Sequence, residues 1–227
     1  MVLDVRLGAA ANFVPKGARL ADIGSDHAYL PISLCLDGKI ECALASDINE
    51  GPVAAAIANI GKNGLSDKIK AIRADGLDSA REFAPDCITV LGMGGELIVS
   101  ILERADWIRD EKITLVLQPM THPEILSAYL AKNGFEVVDE VIVCDGGRDD
   151  RIYRIIAAKY CGVEYCLTEV EALIGKNNIE RCDPVTRAYI ERQIRVLESR
   201  ICGKQSAGQD TCNEDKLVFE MKKILEA

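Results

Sequence analysis

The 227-residue sequence lacks the closely spaced cysteines and histidines that build metal centres or disulfide frameworks. It contains two histidines, and its nine cysteines are scattered without a CxxC pair. Zinc sites and disulfide-rich folds usually show closely spaced cysteines or histidines. We therefore expect no bound metal, and we interpret the cysteines as reduced thiols that serve as small apolar residues.

Long apolar runs and an excess of positive charge are also lacking. No apolar run is long enough to span a bilayer, and Asp4 and Arg6 interrupt the apolar start that a signal peptide would need. These absences predict a cytoplasmic protein. The net charge of −9 argues against indiscriminate nucleic-acid binding, although it leaves room for a local basic patch.

Residues 1–160 alternate between strand-like and helical patterns. Short apolar runs bounded by Gly, Asp or Pro predict strands at Leu20–Ile23, Cys42–Asp47, Ile69–Ala74, Cys87–Leu91 and Ile113–Leu117. Helices are predicted at Val2–Phe13, Tyr29–Leu36, Pro52–Asn63, Glu96–Ala105 and Pro123–Asn133, with a short one near Ser79. Such repeated βα units predict a parallel sheet that is covered on both faces.

The last two strand-like runs of this region depart from the alternation. "FEVVDEVIVC" and "RIYRIIAAKY" are joined by "DGGRDD", which predicts an antiparallel hairpin. A mostly parallel α/β sheet that ends in antiparallel strands is the architecture of Rossmann-like methyltransferases dependent on S-adenosyl-L-methionine (SAM). Other α/β folds also carry antiparallel edge strands, so the architecture alone leaves the ligand open. Together with the strand-end residues described below, it leads us to interpret residues 1–160 as a SAM-binding methyltransferase domain.

Residues 161–227 are predicted to form a second, helical domain. A helix over Asp183–Cys202, a flexible stretch over Gly203–Asn213 and a helix over Glu214–Leu225 predict a coiled-coil-like antiparallel hairpin, since both helices carry an apolar stripe. On the first helix, three arginines lie on the face opposite its stripe: Arg192, Arg195 and Arg200. This face is interpreted either as a solvated surface or as a surface that contacts phosphates.

Acidic residues follow the first three predicted strands, at the sheet edge where open α/β sheets bind ligands. Asp22, Asp47 and Asp75 stand at these strand ends, and Gly76 follows the last of them. Asp47 is placed to bind a ribose diol, and Asp75 to accept from an adenine amino group while Gly76 admits the ring. The pattern predicts a ligand of the adenosine type, although strand-end acids also serve as turn residues.

The loop "GSDHAYLP" distinguishes between two such ligands. A dinucleotide such as NAD needs its pyrophosphate at the first helix N-terminus, where Asp26 would repel it. SAM has no phosphate, and its sulfonium and ammonium groups are cations that the carboxylates of Asp22 and Asp26 can attract. The sequence therefore favours SAM over NAD. The alternative for Asp26 is an ordinary helix N-cap.

Five motifs together resemble the bacterial TrmK-type tRNA (adenine(22)-N1)-methyltransferases: "ADIGSDHAYLP", "SDINEGPVAAAIANI", "RADGL", "LGMGGELI" and "LVLQP". The resemblance implies a Rossmann-like fold, SAM as cofactor and tRNA as substrate. It implies SAM contacts at Gly24, Asp26, Asp47, Asp75 and Gly76, with Gly92 to Gly95, Gln118 and Pro119 near the target base. We add Asp22, Gly92 and Gly94 to the expected cofactor-binding set. After the Gln-Pro pair, Met120 replaces the Asn that often stands there in the family.

The implied chemistry needs no general base, because attack by N1 of adenine on a sulfonium methyl group moves positive charge onto the ring. The groups that can accelerate this reaction are those that orient the base and those that stabilise the positive charge on the ring. We expect Asp26 to meet the charge and Gln118 and Pro119 to orient the base, while His27 or Tyr29 stacks or forms a hydrogen bond. N1 is occupied in a Watson–Crick pair, so the adenine must be unpaired or flipped out.

Two other function classes stay open from the residues alone. A SAM-dependent methyltransferase of a small molecule or a protein fits the acidic composition and does not need the three arginines. A SAM-binding module without catalysis, paired through its helical tail, also fits the pattern. In the absence of catalysis, labelled methyl groups would not be retained on tRNA.

Overall fold

A seven-stranded sheet forms the centre of the molecule in the computed structural model, which describes residues 2–146 and 151–226. The strands are β1 (Ala18–Ile23), β2 (Ile40–Asp47), β3 (Ile69–Arg73), β4 (Cys87–Met93), β5 (Thr114–Pro119), β6 (Phe135–Cys144) and β7 (Ile152–Tyr160). Their order in the sheet is β3-β2-β1-β4-β5-β7-β6. From β1 to β3 successive strands are added toward one edge of the sheet, and from β4 onward they lie toward the other edge. The order of the strands therefore reverses between β1 and β4.

Strands β1 to β5 are parallel neighbours, whereas β7 runs antiparallel to both β5 and β6. The predicted mostly parallel sheet with antiparallel last strands is confirmed. The predicted turn "DGGRDD" lies partly outside the described residues, because these exclude residues 147–150.

Helices cover both faces of the sheet. The helices of this part are α1 (Val5–Phe13), α2 (Tyr29–Leu36), α3 (Glu50–Lys62), α4 (Gly95–Glu103) and α5 (Pro123–Lys132). One buried cluster joins the sheet to α1, α2 and α3, and a second joins its other face to α4 and α5. In place of the helix expected near Ser79, a single 3₁₀ turn forms at Arg81–Phe83.

The tail contains four helices, which are α6 (Glu169–Ile174), α7 (Lys176–Arg181), α8 (Pro184–Ser206) and α9 (Cys212–Glu226). The expected flexible stretch Gly203–Asn213 is wrong at both ends, because α8 continues through Gly203 to Ser206 and α9 already begins at Cys212. The predicted hairpin itself is present: the apolar stripes of α8 and α9 meet in one buried cluster.

The tail is attached to the sheet through β6 and β7. Ile142 of β6 belongs to the same buried cluster as α8 and α9. Beside it, Arg154 of β7 and Glu140 of β6 form an ion pair with 3% and 1% of their side chains exposed. Arg154 also donates to the carbonyl of Ala172 in α6, and Glu140 accepts from the amide of Asn177 in α7. One buried pair thus connects two strands to two helices.

The cysteines are more varied than expected. All nine are unpaired thiols, but four of them are exposed: Cys161, Cys166, Cys202 and Cys212. Cys35 and Cys87 are buried and fit the expected role of small apolar residues, and burial raises the pKa of both thiols. No helix within the described ranges is long and apolar enough to cross a membrane.

Candidate active site

The candidate site lies at the carboxyl ends of the parallel strands, beside the reversal between β1 and β4. In open α/β sheets a ligand crevice opens at this point. Asp22 of β1 is 6% exposed there, and Thr89 of β4 donates a hydrogen bond to its carboxylate at 2.6 Å. Burial raises the pKa of Asp22, while the hydrogen bond from Thr89 and the positive charge of Arg6 act against the rise.

The loop after β1 is held in one shape by a glycine and by the neighbouring strand. Gly24 has φ +75°, and a Cβ atom at this position would overlap the Cε atom of Met93. The amides of Gly24 and Ser25 both donate to the carbonyl of Ser46, at 2.8 and 2.9 Å. The loop is therefore fixed against the ends of β2 and β4 before any ligand arrives.

Asp26, His27 and Tyr29 form the rim of this loop. The Asp26 side chain is 69% exposed and lies 3.4 Å from the Nε2 atom of His27. The His27 ring stacks on Tyr29 with centroids 5.0 Å apart. Helix α2 begins after Ala28, and no side chain caps it. The alternative that Asp26 is the helix N-cap is wrong, so its carboxylate is a feature of the rim.

Asp47 ends β2 with its carboxylate held by its own loop. Its Oδ1 atom accepts from the backbone amide of Asn49 at 2.8 Å and from the Asn49 side chain at 3.2 Å. Both bonds use the same oxygen. The second oxygen, Oδ2, has no hydrogen-bond donor within residues 2–146 and 151–226, which suits the expected contact with a ribose diol.

Asp75 has a partner that the sequence pattern did not indicate. Arg104, after α4, donates to both of its oxygens at 2.9 and 3.0 Å. This hydrogen bonding from Arg104 lowers the pKa of the Asp75 carboxyl. A Cβ atom on Gly76 would lie 2.9 Å from the Nη2 atom of Arg104. The expected adenine contact at Asp75 and Gly76 stays a prediction, and an adenine amino group would share the carboxylate with Arg104.

The glycine-rich loop after β4 packs against the loop after β5. The amide of Gly95 donates to the carbonyl of Thr121 at 2.8 Å, and a Cβ atom on Gly95 would overlap the carbonyl oxygen of His122. A Cβ atom on Gly94 would lie 3.1 Å from the Thr121 hydroxyl. The glycine pair is thus explained by loop packing, and the substrate contact expected for Gly95 stays a prediction.

Gln118 is 0% exposed, and its side chain is used inside the protein. Its Oε1 atom accepts from the Nη1 atom of Arg6 at 3.2 Å and from the amide of Gly92 at 3.0 Å. Its Nε2 atom donates to the carbonyl of Pro119 at 3.0 Å. These contacts make Gln118 a support that fixes the loops after β4 and β5, and Arg6 a site residue that the sequence analysis missed.

A cavity of about 970 Å³ opens directly beside Pro119 and Met120. It lies between α5, the start of β7 and one face of α8. Arg192 and Arg200 line it, whereas Arg195 lies outside the lining that the described residues form. The three arginines that the sequence grouped together are therefore divided by the structure.

Comparison with known proteins agrees with this geometry. Residues 3–156 match the family model described as a methyltransferase domain. Over 157 residues the chain is 38% identical to the tRNA (adenine(22)-N(1))-methyltransferase of Bacillus subtilis strain 168, a match that covers 69% of this chain and 65% of that protein. In this alignment the chain thus spans just under two thirds of its curated relative.

Two solved structures resemble the chain over nearly its whole length. The B. subtilis m1A22 tRNA methyltransferase TrmK has a TM-score of 0.81 at 31% identity, covering 99% of this chain and 96% of that one. M. capricolum TrmK, solved with S-adenosyl-homocysteine, has a TM-score of 0.79 at 26% identity, covering 100% and 97%.

The fold and the crevice at its strand ends define a Rossmann-like methyltransferase. Within that class, the chain belongs to the tRNA (adenine(22)-N1)-methyltransferase family, and the resemblance carried by the five sequence motifs is confirmed.

Proposed function

We propose that the protein transfers a methyl group from SAM to N1 of adenine 22 in tRNA. The observation that carries this proposal is the crevice between β1 and β4 of a methyltransferase-family fold, where carboxylates stand in place of a phosphate-binding turn. This arrangement suits a cationic adenosine ligand and disfavours a dinucleotide.

The residues of the crevice fit SAM as the cofactor. Asp22 is a buried carboxylate beside a loop that Gly24 keeps close to β4, so a cationic group bound there gains from low dielectric surroundings. Asp47 offers the acceptor for a ribose diol, and Asp75 with Gly76 the place for the adenine. Bound SAM supplies the methyl group on a sulfonium and leaves as a neutral thioether.

Asp26 is the residue that we assign to the reaction itself. Its exposed carboxylate lies at the rim, 3.4 Å from the Nε2 atom of His27. In this proposal the target base enters at that rim. As N1 attacks the methyl group, positive charge moves onto the adenine ring, and a fixed carboxylate nearby lowers the barrier to that movement. The stacked pair of His27 and Tyr29 offers a flat surface for a base that has left its helix.

Gln118 acts in this proposal through its neighbours. It joins the amide of Gly92 to the carbonyl of Pro119, and it thereby sets the distance between the two loops that border the target base. Gly94 and Gly95 keep the same loops in contact. The expected orienting role of Gln118 is thus indirect, through the backbone at Pro119.

The tRNA surface is proposed to continue into the cavity beside Pro119. Its charged lining is mostly basic, although the whole chain has a net charge of −9. Apart from Arg154, which Glu140 neutralises, the basic residues are Lys132, Arg151, Arg192 and Arg200, and the acidic ones are Glu124 and Glu169. In this proposal residues 1–160 bind SAM, and residues 161–227 add α8 as the far wall for the RNA.

Transfer of labelled methyl groups tests the function. The purified protein is incubated with labelled SAM and with either unmodified bacterial tRNA, total protein or a small-molecule extract. We expect label to be retained on tRNA. Label on protein or on small molecules instead would support the alternative methyltransferases, and binding of SAM without any transfer would support a module without catalysis. A cytoplasmic location, where tRNA is available, remains part of the proposal.

A further inference from the structure

The inner wall of the cavity beside Pro119 is apolar, although its charged lining is mostly basic. Ala131, Ala172 and Leu197 line the cavity, and each is almost fully buried. Leu173 lines it as well. A surface that binds only phosphates needs cations and polar donors, and an apolar interior adds nothing to it. Contact with phosphates therefore does not explain the inside of this cavity.

The basic residues of the cavity stand at its opening. Lys132, Arg192 and Arg200 line the cavity and are all exposed. Lys132 ends α5, whereas Arg192 and Arg200 belong to α8, so positive charge flanks the opening on two sides. A positive opening with an apolar interior complements a ligand that combines an anionic backbone with a flat, largely apolar group.

Two tyrosines add aromatic surface to the wall. Tyr189 of α8 and Tyr165, in the segment before α6, both line the cavity. The hydroxyl of Tyr165 already donates to the carbonyl of Phe135, at 3.3 Å. Unpaired bases of RNA commonly stack on aromatic side chains, because every base has a π face. The aromatic and apolar wall thus suits a nucleobase.

The cavity is separate from the place of the target adenine. Within the described chain its lining includes Pro119 and Met120, but no residue of the loops after β1 and β4, where methyl transfer is proposed. Its volume of about 970 Å³ can enclose a single nucleotide, whereas a double helix can contact only the opening. The target base and a second base can therefore lie on either side of Pro119.

We propose that the cavity binds one unpaired base of the tRNA other than the target adenine, while Lys132, Arg192 and Arg200 contact the phosphates beside that base. The second base fixes the RNA next to the crevice, so the target adenine can leave its stack without release of the tRNA. This inference rests on the proposed function, because it takes tRNA as the substrate.

A variant with a filled cavity tests the inference. Val196 of α8 lines the cavity with 40% of its surface exposed, so Val196→Trp fills the space without entering the core. We expect Val196→Trp to bind intact tRNA roughly 10- to 100-fold more weakly than the wild type, as for the loss of one stacked base. SAM affinity should not change. Filter binding and calorimetry measure the two affinities.

Cys202→Trp is the matched control. Cys202 is also exposed on α8, but it is outside the part of the lining that residues 2–146 and 151–226 form. This variant should change tRNA affinity by less than about threefold.

Abasic tRNAs identify the base. One base at a time is removed at positions other than 22, and the affinity for each tRNA is measured with the wild type and with Val196→Trp. One abasic tRNA should bind the wild type roughly 10- to 100-fold more weakly than intact tRNA. It should bind Val196→Trp as well as intact tRNA does, because the filled cavity already excludes the base. Abasic sites that act through the fold of the RNA should cost the same with both proteins.

Alkylation of Cys166 provides a second measurement if thermal unfolding shows that Val196→Trp is not folded. Cys166 is exposed and lines the cavity, whereas Cys202 and Cys212 are exposed outside its described lining. We expect saturating tRNA to slow the reaction of wild-type Cys166 with N-ethylmaleimide, and one abasic tRNA to lose this protection. Cys202 and Cys212 should react equally fast with and without tRNA.

Three results would overturn the inference. If Val196→Trp binds tRNA as tightly as the wild type or more tightly, the RNA passes over the cavity. Abasic costs that are the same for both proteins, or protection of Cys166 that no abasic site removes, would mean that no base enters. Protection of Cys166 by AMP but not by tRNA would assign the cavity to a small nucleotide. Failure of the proposed function is distinct, because then the wild type would not methylate tRNA.

Discussion

Asp22 and Asp26 belong to one loop, yet they have opposite surroundings. Asp22 is buried beneath the loop with its pKa raised by desolvation, whereas Asp26 is exposed on the rim beside His27. A buried carboxylate contributes most by holding a cation that stays in place. A carboxylate beside the reacting atoms stabilises the charge that moves during the reaction once the bound substrates exclude water from the rim. The two acids therefore predict different effects on binding and on rate.

Replacement of Asp26 tests its role in the reaction. Asp26→Asn keeps the shape and one acceptor but removes the charge, so we expect the barrier to methyl transfer to rise by about 2–4 kcal/mol. SAM affinity should fall much less, because only interactions that strengthen in the transition state govern that step. Single-turnover kinetics on tRNA and a SAM titration measure both. Proportional losses of rate and affinity would make Asp26 a cofactor-binding residue instead.

Replacement of Asp22 tests the cost of its burial. Because its folded pKa is raised, ionised Asp22 lowers the free energy of unfolding at neutral pH. We expect Asp22→Asn to raise the melting temperature at pH 8 while weakening SAM binding. This gain should shrink as the pH falls through the raised pKa toward the ordinary value, since wild-type Asp22 is then protonated. A gain that does not change with pH would contradict the assignment.

The acids of the site could be predicted from the sequence, but their cationic partners could not. Asp22 and Asp47 lie at the carboxyl ends of β1 and β2, and Asp75 follows β3; parallel strand ends meet at one edge of the sheet. Arg6 and Arg104 reach the same edge from helices, and no spacing in the sequence records the reach of a long side chain. The packing of Gly95 on the His122 carbonyl could not be predicted either, because it depends on how two loops that are distant in sequence meet.

At the scale of elements, the junction between β6, β7 and the tail depends on Glu140 and Arg154. Each charge is almost fully buried and is paired both with the other and with backbone groups of α6 or α7. Removal of one member of a buried pair leaves an uncompensated charge, which costs more than the pair itself contributes. The position of the helical tail should therefore be sensitive to this pair.

Glu140→Gln tests this sensitivity, with the adjacent Asp139→Asn as its matched control. We expect Glu140→Gln to lower the free energy of unfolding by about 3–5 kcal/mol, because Arg154 remains charged and buried. Asp139 pairs with Arg181 at the surface, so Asp139→Asn should cost less than about 1 kcal/mol. Urea unfolding measures both variants. Similar costs for the two variants would contradict the proposed importance of the buried pair.

The elements that sequence patterns predicted well are long or strongly apolar. The five parallel strands and the α8–α9 hairpin have clear periodicity, whereas α6 and α7 have six residues each and were missed. One signal for α6 was present, because Thr168 and Glu171 form a capping box. Gly203 is the first residue of the predicted flexible stretch, but it lies within an exposed turn of α8, where packing of the apolar stripe outweighs its low helix propensity.

At the scale of the whole molecule, the proposed function requires a protein with a net charge of −9 to bind tRNA, which is itself a polyanion. The cavity between the sheet and α8 resolves this conflict, because it concentrates basic residues beside the candidate active site. The sequence could place Arg192, Arg195 and Arg200 on one exposed face of a helix. It could not tell which of them turn toward the sheet, since that depends on how the tail docks.

The division of the arginines predicts different effects on tRNA binding. We expect Arg192→Gln with Arg200→Gln to weaken tRNA binding and to reduce the salt dependence of log K by about one unit for each lost phosphate contact. SAM affinity should not change. Arg195→Gln is the control and should leave tRNA affinity nearly unchanged. Filter binding over a salt series measures these effects, and equal effects of Arg195 and the cavity pair would contradict the proposed surface.

The proposed function requires methylation at one atom of one nucleotide. N1 lies on the pairing edge of adenine, so its methylation blocks reverse transcription at that position. Primer extension on an unmodified tRNA transcript, after incubation with the protein and SAM, locates the product directly. We predict a new stop next to adenine 22, absent without SAM and absent when guanine replaces that adenine. Efficient methyl transfer to the guanine-22 transcript, or a stop elsewhere in the wild-type transcript, would contradict the account.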